Sequence, residues 1–133
     1  MSSGSKKILS EISAGELLDK LSILEIKIDK IKDKPSQLEI HKEYKVLKEA
    51  QEKNIELNEK LKKLIDELKV VNLNLWSVED KLRICEKNKN FDATFIQLAR
   101  DVYFNNDKRS KIKSKINESL GSNIKEVKQY VNY

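Results

Sequence analysis

Residues 57–82, LNEKLKKLIDELKVVNLNLWSVEDKL, carry the reading that decides the fold. Leu57, Leu61, Leu64, Leu68, Val71, Leu75, Val78 and Leu82 recur at alternating spacings of four and three, the seam of a coiled-coil-like helix. Upstream, Ile40, Tyr44, Leu47, Ala50 and Asn54 keep a comparable but less tidy stripe. The first credible interruption downstream is Lys87-Asn88-Lys89-Asn90. No glycine or proline lies between Pro35 and Gly121. The spacing therefore predicts one central helix over 37–87, about 75 Å long at a rise of 1.5 Å per residue.

A shorter helix is expected on either side. Ser13-Ala14-Gly15-Glu16 has the form of a capping box, in which the serine hydroxyl and the glutamate carboxylate satisfy each other's backbone N–H. Leu17, Leu21, Leu24, Ile28 and Ile31 follow at heptad spacing, giving a first helix over 13–33. Pro35 should stop it, because the residue before a proline is pushed out of the helical region. Ser36-Gln37-Leu38-Glu39 repeats the capping signature and would open the central helix. Asp92 is an N-cap for a third helix over 92–120, with Phe91 available as a staple to Ile96. Phe95, Leu98, Ala99, Val102, Ile112, Ile116 and Leu120 supply its apolar face, and Gly121 sits where a left-handed terminator belongs. Residues 122–133 fit a short helical turn or an extended tail equally well.

The fold class expected is all-α: three helices in an antiparallel arrangement, the central one very long, in a single domain over 11–133 behind a disordered tail, 1–10. Short turns would lay the first helix over one half of the central helix and the third over the other. Any level along such a rod has only two helices, and two helices cannot enclose a core. Pairing with a second copy to give a four-helix cross-section is the simplest remedy, so a homodimer is expected. The competing structure breaks the central helix around Asn72-Leu73-Asn74 and folds into a compact monomeric bundle.

Composition narrows the function classes. In 133 residues there are 27 Lys+Arg and 22 Asp+Glu, a net charge of +5. That surplus is too mild for a dedicated nucleic-acid binder. Hydrophobic residues make up 38%, below the roughly 45–50% of an average globular chain. One cysteine, Cys85, rules out an intrachain disulfide. With only His41 beside it, a Cys/His zinc site is not available, and Glu39-Ile40-His41 lacks the spacing of a di-iron bundle. Cys85 reads as a small buried or interfacial hydrophobe and His41 as a surface residue. No Gly-rich phosphate loop, nucleophile elbow or metalloprotease helix motif is present, and no cofactor is expected. No apolar run reaches membrane-spanning length. Met1 to Lys7 lacks the apolar stretch of a secretory signal, so a cytoplasmic location is expected.

One polar constellation stands out. Trp76, Glu79, Asp80 and Arg83 fall at i, i+3, i+4 and i+7 and share a helix face. Folding the third helix back about a turn near residue 89 brings Arg100, Tyr103, Asn106 and Asp107 to the same height. Asn106 and Arg109 occupy places where the apolar stripe should continue, and polar groups at such places set register or line a site. Three arginines stand against 24 lysines, and Arg83, Arg100 and Arg109 all fall here. The planar bidentate fork is what arginine adds over lysine. The bland reading is a structural ion-pair layer, Glu79 or Asp80 with Arg83 or Arg100; the sharper one is a pocket for an anion or small ligand. Lys108, Lys111 and Lys115, with Arg109 and Lys113 beside them, form a basic ridge. A solvated face is its ordinary meaning, and polyanion binding is the alternative.

The blocks ISAGELLDKLSILEIKIDKI (12–31), LWSVEDKLRICE (75–86), FIQLARDVYFNNDKRSKIKSKINESLGS (95–122) and EVKQY (126–130) resemble an uncharacterised family of small bacterial proteins, a domain of unknown function. The resemblance implies an all-helical protein, some of whose relatives are encoded among genes for cell-surface glycan assembly. It brings no catalytic role. It also implies that Glu16, Asp19, Lys20, Glu25, Trp76, Glu79, Asp80, Arg83, Arg100, Tyr103, Asn106, Asp107 and Arg109 match signature positions of that family.

The function expected is that of a non-enzymatic accessory or scaffold protein acting through self-association and a protein partner, alongside glycan assembly on the resemblance alone. The alternative is a small helical-bundle enzyme or anion binder, with Arg83, Arg100 and Arg109 holding the anion and Glu79 or Asp80 as acid or base.

Overall fold

The structure, a computed structural model, describes residues 6–133. Four helices follow one another: α1 (Ala14–Lys30), α2 (Lys34–Asn54), α3 (Glu59–Lys87) and α4 (Ala93–Leu120). The all-α class holds, but the expected three helices are four. Of the expected tail 1–10, residues 1–5 lie outside the described residues, and 6–12 have no regular secondary structure.

The expected 37–87 helix divides at residues 55–58, and the reason is a slip of register. Continuing the stripe of Ile40, Tyr44 and Leu47 puts Gln51, Asn54 and Asn58 on it, one residue out of step with the seam that begins at Leu57. A continuous helix would turn Asn54 and Asn58 toward the core beside Gln51, which is buried already. Instead Ile55 turns extended (φ −128°, ψ 119°) while its N–H still donates to the Gln51 carbonyl. Asn58 then caps α3, its side chain accepting from the Leu61 N–H at 2.8 Å. Ile55 and Leu57 pack against the core from the connection itself. No break occurs at Asn72-Leu73-Asn74, where α3 runs straight through.

The other boundaries differ in detail. α1 starts from Ser13, whose hydroxyl accepts from Glu16, and ends at Lys30, before proline can act. Pro35 does not stop a helix; it occupies the first turn of α2, where its missing N–H costs nothing. Asp33, not Ser36, is the cap of α2. The Ser36 side chain and N–H hold the Asp33 carboxyl below its ordinary range. α4 matches the reading from Asp92 to Gly121, which ends it in the left-handed conformation. Phe91 stacks edge-on against Phe95. The C-terminus, for which two forms were open, is a non-helical segment.

The packing order also departs from the expected rod. α1 packs closely against α2, α3 and α4, whereas the backbone of α2 comes close to neither α3 nor α4. α1 is therefore the central layer, with α2 on one side and the α3–α4 hairpin on the other. It crosses that hairpin obliquely. Its N-terminal turns meet α4 at Lys113 and Asn117, and its second half reaches α3, where Glu25 pairs with Lys69 at 3.1 Å. The core sits at this crossing: Leu17, Leu18 and Leu21 from α1, Leu61, Leu64, Leu68 and Val71 from α3, and Ile112 and Ile116 from α4. Tyr44, Leu47 and Ala50 of α2 cover it. Leu61, Leu68 and Ile116 are fully enclosed, each contributing about 1.5–3 kcal/mol. Away from the crossing the hairpin thins to an arm, and no residue between 79 and 111 is buried.

Gly15 makes the closest approach of α1 to α4. A Cβ there would stand 2.6 Å from the Lys113 carbonyl oxygen and 2.9 Å from Asn117 Oδ1. Gly15→Ala should lower stability by about 1–3 kcal/mol, despite alanine's better helix propensity, because two backbones must part. Thermal unfolding checks it, and an unchanged or raised melting temperature would contradict this close packing.

Candidate functional site

The polar centre of the molecule lies at the helix crossing. Gly15, Asp19 and Ser22 follow one another at i, i+4 and i+7, so a stripe of small and polar residues faces the hairpin. Asp19 has 0% exposure. One carboxylate oxygen accepts from Arg109 Nε and Asn72 Nδ2, each at 2.9 Å. The other pairs with the second arm of the Arg109 fork, and Lys113 Nζ stands 4.0 Å away. Asn72 also donates to Ser22 Oγ at 2.8 Å. The site thus joins α1, α3 and α4 through one carboxylate.

Lys113 extends the network outward. Its ammonium group lies 2.7 Å from Glu16 and 3.7 Å from Glu126. One turn further along α4, Asn117 Oδ1 accepts from the Gly15 N–H at 2.6 Å, and Ser122 Oγ accepts from the Ala14 N–H at 3.1 Å. These bonds satisfy the otherwise unpaired N–H groups at the start of α1. The Asp19 carboxylate holds Arg109 above its ordinary pKa, chiefly through the hydrogen bonds and against the opposing effect of burial. Every charge in the cluster has a counter-charge within it. Among the described residues no buried side-chain nitrogen or oxygen lacks a hydrogen bond. Chemically this is a filled ion-pair layer whose donors and acceptors are spent on one another.

Of the residues picked out by register, only Arg109 belongs to this layer. Arg83 pairs with Glu79 one turn away at 3.1 Å, and its side chain is largely in water. Arg100 is exposed, its guanidinium 5.6 Å from the Phe104 ring centroid. The three arginines are engaged in three separate places. Trp76 is half-buried and Asp80 exposed on α3, and Asn106 is half-buried on α4. Cys85 is half-buried and His41 exposed. No group of three or more His, Cys, Asp or Glu side chains suited to a metal ion occurs among the described residues.

Tyr103 and Asp107 lie outside the layer and receive the C-terminal segment instead. Tyr133 packs edge-on against Tyr103 and Phe104, with ring centroids 5.5 and 5.2 Å away. Its hydroxyl donates to the Asp107 carboxylate. The segment after Gly121 therefore runs back along α4, tied at Lys113 by Glu126 and at Asp107 by Tyr133.

Register reasoning did not find Ser22, Asn72, Lys113 or Asn117 as members of a site; Glu16 was read as a helix-capping residue, and Asp19 entered only through the family resemblance. A signal was present in the two four-residue ladders, Gly15-Asp19 on α1 and Arg109-Lys113-Asn117 on α4. Each places small or polar residues on a stripe inside a helix that must pack.

A family model matches residues 8–133, nearly the whole chain, under the description Family of unknown function (DUF6165). The chain belongs to that family. No curated protein and no solved structure matches it. The family carries no assigned activity, so function has to be argued from the geometry. Within that geometry, no helix among the described residues is long and apolar enough to cross a membrane.

Two measurements probe the site. Asp19→Asn leaves the Arg109 charge in a half-buried place without its partner and should cost about 3–5 kcal/mol in chemical unfolding. Arg83→Ala, which removes a water-exposed pair, should stay within about 1 kcal/mol of wild type; equal effects of the two would refute the buried layer.

The Tyr133 pKa is pushed up to about 12, first by its hydrogen bond to Asp107. The neutral hydroxyl is the bonded form, so the anchor is complete below the ordinary value of 10 and lost as pH rises through about 12. Tyrosinate absorbance should show a late phase that vanishes in Tyr133→Phe and moves down in Asp107→Asn. A titration that neither change alters would exclude the anchor.

Proposed function

We propose that this protein is a non-enzymatic helical interaction protein, acting through self-association and through a protein partner. The supporting observation is the arm formed by the ends of α3 and α4. Leu82 and Cys85 on α3 and Phe95, Leu98, Ala99 and Val102 on α4 belong to this arm, yet each is at most half-buried. Ile84, Phe91 and Ile96 stand further out in water. Two helices leave the flanks of their seam uncovered, and a run of exposed large apolar side chains on a thin projection marks an association surface. A homodimer that pairs arm with arm would cover it.

The spent state of the Asp19 layer supports the non-enzymatic half of the reading. A catalytic acid, base or anion clamp needs a donor or acceptor left over for substrate, and this cluster uses its own on structure. No observation gathers Arg83, Arg100 and Arg109 around a common ligand. A bacterial source, a cytoplasmic location and a partner in cell-surface glycan assembly belong to the proposal too. The first and last rest on the resemblance of the ISAGELLDKL, LWSVEDKLR and FIQLARDVYFNNDKR blocks.

Light scattering coupled to size exclusion tests the central claim. The wild-type chain should run at twice its monomer mass of 15.5 kDa. The double change Ile84→Asp and Ile96→Asp should give a monomer with nearly unchanged thermal stability, because both side chains are already in water. A wild-type monomer at every concentration would overturn the self-association reading.

A further inference from the structure

α4 is covered on three sides. α3 lies against its apolar stripe, α1 against Arg109, Lys113 and Asn117, and the C-terminal segment against Tyr103, Phe104 and Asp107. Helical spacing places Lys108, Lys111 and Lys115 on the remaining side, at i, i+3 and i+7. There they line a groove between α3 and α4, on the side of the hairpin away from α1, with Val70, Val71 and Ile112 as its floor and Glu67 on its wall. Val70 is 58% exposed in it, while Val71 and Ile112 are buried beneath.

We propose that this groove docks an amphipathic helix of a partner protein, one that carries acidic residues beside an apolar stripe. The inference rests on the proposed function, that the chain works through a protein partner, and it supplies that partner's chemistry. Charge complementarity selects the occupant. Lys113, on the covered side of α4, has three carboxylates within 4.0 Å. Lys108, Lys111 and Lys115 have none among the described residues, so their positive potential is directed outward. Three cations over two turns match acidic positions at i, i+3 or i+4, and i+7 of an opposing helix. The apolar floor between lysine stems supplies the seat for its apolar stripe.

Other occupants fit less well. A second copy of this chain brings a net charge of +5, repelled by a basic groove. A nucleic-acid backbone would meet an apolar floor and no stacking aromatic.

The test uses the full chain and a synthetic, fluorescently labelled peptide of about 20 residues, with leucine at core positions and glutamate flanking them. Anisotropy should show saturable binding that weakens with added salt. Lys111→Glu with Lys115→Glu should weaken it at least about tenfold, equivalent to ~1.4 kcal/mol. Val70→Asp should weaken it as well. All three side chains are exposed, and circular dichroism verifies that each variant remains folded.

No binding, or binding that these changes leave intact, overturns the proposal. So does tighter retention on phosphatidylserine vesicles or duplex DNA than on the peptide. Light scattering on the same samples keeps the two readings apart. An oligomer that ignores the peptide loses only the groove, and a monomer that binds it loses only the paired arms.

Discussion

A carboxylate without access to water ties the molecule together. Asp19 accepts from the Arg109 fork on α4 and from Asn72 on α3 while belonging to α1. Moving such a group out of water costs several kcal/mol, and the pairing offsets this only when its geometry is good. The value of the arrangement therefore lies less in net stability than in choice of position. α1 is buried on both sides, and its leucines alone would tolerate more than one placement on the hairpin. A slide of one turn would take the carboxylate out of the Arg109 fork. Gly15 sharpens the choice, because only the observed placement brings its bare backbone against the Lys113 carbonyl.

That crossing explains why the chain is not the expected rod. Leucine and valine at alternating spacings of four and three identified α3 and the seam it offers to α4, and Asp92 and Gly121 bounded α4 correctly. The division of the central helix was legible only weakly. Apolar residues continue on both sides of 55–58 and no glycine or proline marks the break. The clue lies in phase: Gln51, Asn54 and Asn58 occupy the stripe just before Leu57 restarts it. Asparagine is a poor core residue and a good cap, so the slip and the cap are one signal. A reading that matched stripes by type, without following their phase, joined two helices that the fold separates.

The candidate site was hidden for a related reason. Arginine, glutamate and tryptophan at helical spacing attract notice, and register brought Trp76, Glu79 and Arg83 onto one face. Yet whether a shared face is buried depends on what crosses it. α1 meets α3 near Lys69 and Asn72 and leaves Arg83 to water. The same crossing buries Asp19, which in sequence is one more acidic residue in a charged helix. Long-range packing assigns these roles, and a single sequence reports such packing only through short polar interruptions such as Gly15, Asp19 and Ser22. The alternation that reveals a helix says little about its neighbours.

Charge is divided in the same way. Of the lysines on the last three turns of α4, Lys113 faces inward and is enclosed by Glu16, Asp19 and Glu126, whereas Lys111 and Lys115, two residues to either side, face outward. At about 100° per residue a displacement of two turns a side chain to the far half of the helix, so nearby lysines with equal charge have opposite roles. The inner one is neutralised by the fold and contributes little to the external potential. The outer ones keep theirs because α1 and the C-terminal segment draw the nearby carboxylates to the covered side. Closing α1 onto α4 with acidic residues is thus what leaves the opposite face basic. The same folding step that completes the interior gives the exterior its polarity.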